Sequence, residues 1–277
     1  MKGITKLSLT LLAGIVLTAC GGSGGGSSSN SASSVQPIDT SSSTATSNNS
    51  TSSPSNTTSS NSTNSATTVS NSTGGTYVFS GIDDNVTTTY KVLNDASDLN
   101  FIVVDGQKIR VAYSNITSGS WTTINNTSVC CGKFTDVRFG AIGSTGPNEK
   151  DYIFYNGNPT QSVPTSGSAT YTGHFIITGN HPVAFEDEDY LKGNVNFTAN
   201  FSAKTLAGNL TDVAGLNPIS VNTQISGNSF TGEANSSDFA TKAVVEGKFF
   251  GENAKELGGI FKDNGSTWGG AFGASKQ

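Results

Sequence analysis

The sequence predicts an all-β protein: a small strand-rich handle domain followed by an eight-stranded antiparallel up-and-down β-barrel. Three observations predict it. All 15 Phe, 7 Tyr and 2 Trp lie at or after Tyr77, so the folding part of the 277-residue chain is about its last 200 residues. That part consists of short runs rich in Val, Ile, Thr, Phe and Tyr, punctuated by Gly, Asn, Asp and Pro, with no helical stripe longer than about two turns. One run alternates strictly, with Val195, Phe197, Ala199, Phe201 and Ala203 on one face. Asn194, Asn196, Thr198, Asn200 and Ser202 occupy the other, as in a strand with one dry and one wet side.

The chain opens with an export signal, residues 1–19. Lys2 and Lys6 precede an apolar run, Leu7 to Leu17, that is too short to span a bilayer, for which about 20 apolar residues are needed. The ending Leu17-Thr18-Ala19-Cys20 resembles a bacterial lipobox. The resemblance implies that the Cys20 sulfur carries a diacylglycerol and the freed amine a further acyl chain. Several acyl chains anchor a protein stably where a single one does not. Residues 20–75 read as a lipid-anchored, disordered linker. Of the 55 residues from Gly21 to Gly75, 45 are Ser, Thr, Asn or Gly. Such a segment has too little to bury to meet its ordering entropy. Loss of Lys2 and Lys6 with the signal takes the net charge from −5 to −7, and no Lys/Arg cluster is present. Nucleic acid is therefore excluded as a partner class.

The handle is expected over residues 76–165, with strands at Tyr77–Ser80, Thr87–Leu93, Phe101–Val104, Lys108–Tyr113, Trp121–Ile124, Phe134–Ala141 and Asp151–Tyr155. Asp105-Gly106 supplies a hairpin turn, because such turns need positive φ. A loop from Gln161 to Ser168 joins the handle to the barrel, residues 166–277. Barrel strands are expected at Thr170–Thr178, Gly193–Ala203, Leu206–Val213, Ile219–Ser226, Ser229–Ala234, Lys242–Phe250, Leu257–Lys262 and Thr267–Ala274. Closure removes the exposed edges of so many short antiparallel strands, and an eight-stranded interior can be filled by side chains. Glycines late in the chain (Gly258, Gly259, Gly269, Gly270, Gly273) mark bends or the close approach of aromatic rings.

Several stretches together resemble the barrel of transferrin-binding protein B and related surface lipoproteins. They are Tyr171-Thr-Gly173, the run from Asn196 to Gly208, the run from Gly247 to Gly259 (GKFFGENAKELGG) and the closing Gly270-Ala-Phe-Gly273-Ala. The resemblance covers about the last 105 residues. In that family a strand-rich handle precedes the barrel, and an acylated Cys with a glycine-rich stretch precedes both. Here Cys20-Gly-Gly-Ser-Gly-Gly-Gly26 occupies that place. The resemblance implies a lipid-anchored, surface-exposed protein of the Gram-negative outer membrane, exported by a dedicated outer-membrane translocon. It also implies that a host protein, an iron or haem carrier or a complement regulator, binds through loops of handle and barrel. The alternative it leaves open is a haem or small-ligand receptor that passes cargo to an outer-membrane transporter.

Candidate site residues are few. Cys130 and Cys131 are adjacent and, with Cys20 acylated, have only each other as partners, so they are candidates for a vicinal disulfide. His174 and His181 are the only histidines and the candidate haem or ligand contacts. Glu186, Asp187, Glu188 and Asp189 form an acidic loop between the first two barrel strands, a candidate partner-binding loop that lacks the ligand spacing of a calcium loop. No G-x-S-x-G, H-E-x-x-H or P-loop pattern occurs, so no catalytic residue, resident metal or enzymatic activity is expected.

Overall fold

The computed structural model describes residues 71–81, 86–112, 119–144, 150–181, 183–186 and 188–277. The signal, Cys20, nearly all of the linker, and Asp187 lie outside these residues. The chain forms strands β1 (Thr73–Ser80), β2 (Thr87–Leu93), β3 (Phe101–Val104), β4 (Gln107–Arg110), β5 (Thr122–Ile124), β6 (Thr127–Cys130), β7 (Val137–Ile142) and β8 (Asp151–Gly157) in its first part. The second part contains β9 (Ser168–Gly179), β10 (Leu191–Asn200), β11 (Thr205–Thr211), β12 (Ile219–Ser226), β13 (Ser229–Asn235), β14 (Ala243–Phe250), β15 (Glu256–Asp263) and β16 (Trp268–Lys276).

The barrel closes in the order β10-β11-β12-β13-β14-β15-β16-β9, with every neighbour antiparallel. Its interior is filled by Tyr171, Phe175, Phe197, Phe230, Phe249, Phe261 and Phe272 among smaller apolar residues. Phe197 and Phe230 both meet Phe272, at ring-centroid distances of 5.3 and 6.2 Å. So many rings fit because glycine faces them on adjacent strands. A Cβ on Gly259 would lie 2.6 Å from the Phe272 ring, and one on Gly208 2.7 Å from that of Phe197. Trp268 closes one end, stacked on Phe239 at 4.3 Å and donating its indole N–H to the Thr241 carbonyl at 2.9 Å.

The handle is a six-stranded antiparallel sheet, β2-β1-β8-β7-β6-β5, with β3 and β4 as a separate hairpin. One face of the sheet (Tyr77, Phe79, Phe139, Ala141, Ile153, Tyr155) packs on the outer wall of the barrel against Ile176, Phe250, Ile260 and Ala271. The other face (Val78, Ile142, Tyr152, Phe154) packs under the hairpin against Ile102, Val104 and Ile109. The central strand β8 is consequently buried at all seven positions rather than at alternate ones.

Many strand limits differ from expectation, and three of the differences have clear physical reasons. The handle begins at Thr73, inside the stretch read as linker. Gly74 and Gly75 look like spacer, but Gly74 abuts the Tyr155 carbonyl, and a Cβ on Gly75 would sit 2.6 Å from the Tyr90 hydroxyl. Strand β6 adds to the expected set, and its hairpin with β5 turns on Asn125-Asn126 at φ 48° and 61°. Finally, β10 ends at Asn200; Phe201 stays buried, while Ala203 turns outward ahead of Lys204 at φ 56°.

Candidate functional site

The expected site residues fall on two regions, the handle–barrel seam and the loops around it. The seam begins with the outward faces of β14, β15 and β16. Gly258 and Gly273 face outward there, and the handle uses the cleared space. A Cβ on Gly258 would lie 2.7 Å from the Val137 methyl, and one on Gly273 would run into the Phe139 ring. Phe139 pairs with Cys130 across β7 and β6. Seating Phe139 on the barrel wall thus brings the end of β6 down over β9 and β16.

Cys130 and Cys131 are buried at that point and joined to each other as a disulfide. His174, on the outer face of β9, pairs with Asn194 on one side and Gly273 on the other. Ligating atoms of Cys130, Cys131 and His174 all lie within 4.8 Å of one another. His174 Nδ1 is 3.1 Å from Asn194 Oδ1, and Asn194 donates to the Asp212 carboxylate at 2.8 Å. Burial and the nearby Lys133 ammonium lower the His174 pKa, which favours the neutral ring.

Two polar clasps flank this cluster, both built on residues outside the expected set. Glu256 is buried and accepts from the amides of Thr135 and Asp136 at 2.9 and 2.8 Å, so the barrel holds the handle loop after the cysteines. Lys255 supports the same loop through Asp136 at 2.8 Å. At the other end of the seam, Glu246 of β14 accepts from the Tyr90 and Tyr155 hydroxyls at 2.5 and 3.4 Å. Burial, together with the Glu246 carboxylate, pushes both phenols well above their ordinary pKa. Glu246 and Glu256 stand in the sequence as isolated carboxylates in apolar strands, the one signal that could have found them.

His181 lies apart from His174, in the β9–β10 loop. Its Nδ1 accepts from the Ala184 amide at 3.2 Å and its ring meets Phe239 edge-on. The structure therefore does not gather the two histidines into one site. Glu186, Glu188 and Asp189 are exposed in the same loop, and Asp187 is outside the described residues. Burial and the carboxylates of Asp151 and Glu188 raise the Asp189 pKa. The loop thus gathers negative charge beside the handle strand β8. Large exposed apolar side chains are Val183 next to it, Val244 on β14, and Tyr90 and Val92 on the handle edge strand β2. A hollow of about 460 Å³ at one barrel end is lined by Val163, Pro164, Phe201, Ile225 and Lys204 among others. These features suit recognition of another macromolecule: an acidic loop, a strand edge that no other described strand pairs, and scattered apolar contacts.

The family described as the C-lobe and N-lobe β-barrels of transferrin-binding protein B matches residues 163–276. An uncharacterised protein of Haemophilus influenzae is 41% identical over 291 residues, which covers 99% of each chain. Transferrin-binding protein B of the same species is 27% identical over 223 residues, covering 66% of this chain and 35% of the relative. Among solved structures, a Trp-176-Ala mutant of transferrin-binding protein B from Haemophilus parasuis Hp5 is 28% identical with a TM-score of 0.55. That match covers 73% of this chain and 44% of the other. The chain thus spans less than half the length of the transferrin-binding relatives to which it is similar.

Proposed function

The chain belongs to the transferrin-binding protein B-like family, and on that premise we propose that it is a tethered surface receptor for a host iron- or haem-carrying protein. The observation that carries this reading is the pairing of a handle sheet with a barrel whose residues 163–276 match transferrin-binding protein B. The iron-carrier part of that class is taken from those relatives' names, and the haem-carrier part from the family resemblance. Transferrin, which those relatives bind by name, is one candidate within that class. In this reading Cys20 is acylated in the Gram-negative outer membrane, a translocon carries the head to the cell surface, and the linker holds it clear of the lipid. The contacts are the acidic β9–β10 loop, the β2 edge with Tyr90 and Val92, and neighbouring handle loops. A net charge of −7 on the processed chain steers it toward basic patches on its partner.

The deciding experiment immobilises the processed chain bearing Cys20→Ser and presents host transferrin and haemoglobin separately. Saturable binding of one of them is expected, and it should weaken with added salt and with Glu186→Gln/Glu188→Gln/Asp189→Asn. Absence of binding to any host iron or haem carrier overturns the reading. The anchor is tested in the native host. Cys20→Ser is expected to move the protein from the membrane fraction to the soluble one, and continued membrane retention refutes acylation there.

A further inference from the structure

The cluster at the middle of the seam has chemistry that host recognition does not use. We propose that Cys130, Cys131 and His174 form a reduction-gated binding site for a soft or borderline divalent cation of the zinc type. Two sulfurs and an imidazole nitrogen are the donor set such ions prefer. They come from different parts of the molecule, the cysteines from the end of β6 and the histidine from the barrel wall, yet their ligating atoms lie within 4.8 Å of one another. In a tetrahedral zinc site, bond lengths of about 2.0–2.3 Å place the donors roughly 3.5–3.8 Å apart. Reduction must therefore let the two sulfurs move apart from bonding distance to that separation, while the imidazole closes by at most about 1 Å.

The outer partners of the histidine point the same way. The Asp212 carboxylate is an acceptor, so the Asn194 group facing it is the NH₂, and Oδ1 of Asn194 faces His174. Nδ1 of His174 then carries the proton of their 3.1 Å hydrogen bond, with the Gly193 backbone as a further hydrogen-bond partner of the ring. Nε2 keeps its lone pair. A ring nitrogen held by an oxygen acceptor while the other is left to ligate is the usual support of a metal-binding histidine. The chain Asp212–Asn194–His174 supplies it, from β9, β10 and the residue just past the end of β11.

While the two sulfurs are bonded to each other they cannot serve as thiolate ligands. Two equivalents of a small thiol open the bond: the protein disulfide takes up two electrons and two protons, and the small thiols leave as their own disulfide. Binding of one divalent cation then displaces the two thiol protons. The fourth ligand position is left to water or another small donor.

The test uses the full chain carrying Cys20→Ser, so that Cys20 adds no thiol. Oxidised and phosphine-reduced protein are titrated anaerobically with Co²⁺ and then Zn²⁺. The reduced protein is expected to bind one Co²⁺, with sulfur-to-cobalt charge-transfer bands and tetrahedral visible bands that Zn²⁺ abolishes. The oxidised protein should show neither. His174→Gln, at a half-exposed position, and Asn194→Ala are each expected to weaken Zn²⁺ binding by about tenfold or more with the disulfide still able to form. Four results would overturn the proposal: reduction that fails to expose both thiols in the folded protein, no cobalt–sulfur band after it, equal binding by the oxidised form, or unchanged affinity in His174→Gln.

Discussion

Asp263 shows how single residues hold this fold. Its carboxylate is fully buried at the β15–β16 turn. It accepts from the Thr241 hydroxyl at 2.8 Å, the Thr267 amide and hydroxyl at 2.6 and 2.8 Å, and the Trp268 amide at 3.2 Å. Burial alone would raise its pKa, but the bonds from Thr267, Thr241 and Trp268 outweigh burial and lower it. A lowered folded-state pKa means stability that is present above the unfolded value of about 3.9 and is lost as pH falls through the folded value. Asp263→Asn should therefore destabilise the chain by about 1–3 kcal/mol at neutral pH, with the gap to wild type closing below about pH 4. Urea unfolding at pH 7 and pH 3 checks this, and a gap independent of pH would refute it. Glu256 works by the same principle without needing a pH argument. Its removal strands two backbone amides in the seam, so Glu256→Ala should cost about 1–3 kcal/mol in the same assay.

At the scale of elements, register decides what pattern reading could and could not show. Strands β2, β3 and β12 match the expected ranges because each is bounded by turn residues and carries a run of strand formers. Strand β6 falls outside the expected set because Thr127–Cys130 is only four residues long, too short for an alternation to stand out. The signal was there: Asn125-Asn126 tolerates the positive φ that a two-residue hairpin needs. Glycine fits such a position better, so Asn126→Gly should stabilise the chain by a few tenths to about 1 kcal/mol, provided nothing but the turn changes. A lowered unfolding midpoint would show that the Asn126 side-chain bond to the Ser144 carbonyl, at 3.1 Å, outweighs the backbone gain. The candidate site was legible only in pieces. The adjacent cysteines and the outward histidine could be named, but 42 residues lie between Cys131 and His174, and only the docking of Phe139 over Gly273 unites them. Tyr90 and Glu246 are 156 residues apart, a separation no local pattern bridges.

For the molecule as a whole, the seam makes the handle and barrel one folding unit. The barrel wall contributes Ile176, Phe250, Ile260 and Ala271 to a core that the handle completes, and all four are fully buried there. Were the barrel alone in solution, these side chains would form a contiguous apolar patch of the sort that causes association. The glycines at 258 and 273 would then be unexplained gaps in its wall. Intact protein should accordingly unfold in a single calorimetric transition, with the calorimetric and van't Hoff enthalpies equal. Gly273→Val attacks this coupling at its narrowest point, since the added side chain runs into the Phe139 ring and cannot be seated without lifting β7. Overpacking of this kind costs about 1–3 kcal/mol. The cost falls on the seam rather than on the barrel ladder, because Gly273 keeps its backbone pairing with His174 and Gly258. The variant should therefore split the transition, the handle melting first and the barrel near its original temperature. A uniform downward shift of one undivided transition would instead mean that the barrel cannot stand without its handle. Two transitions in the wild-type protein would mean that the seam never coupled them.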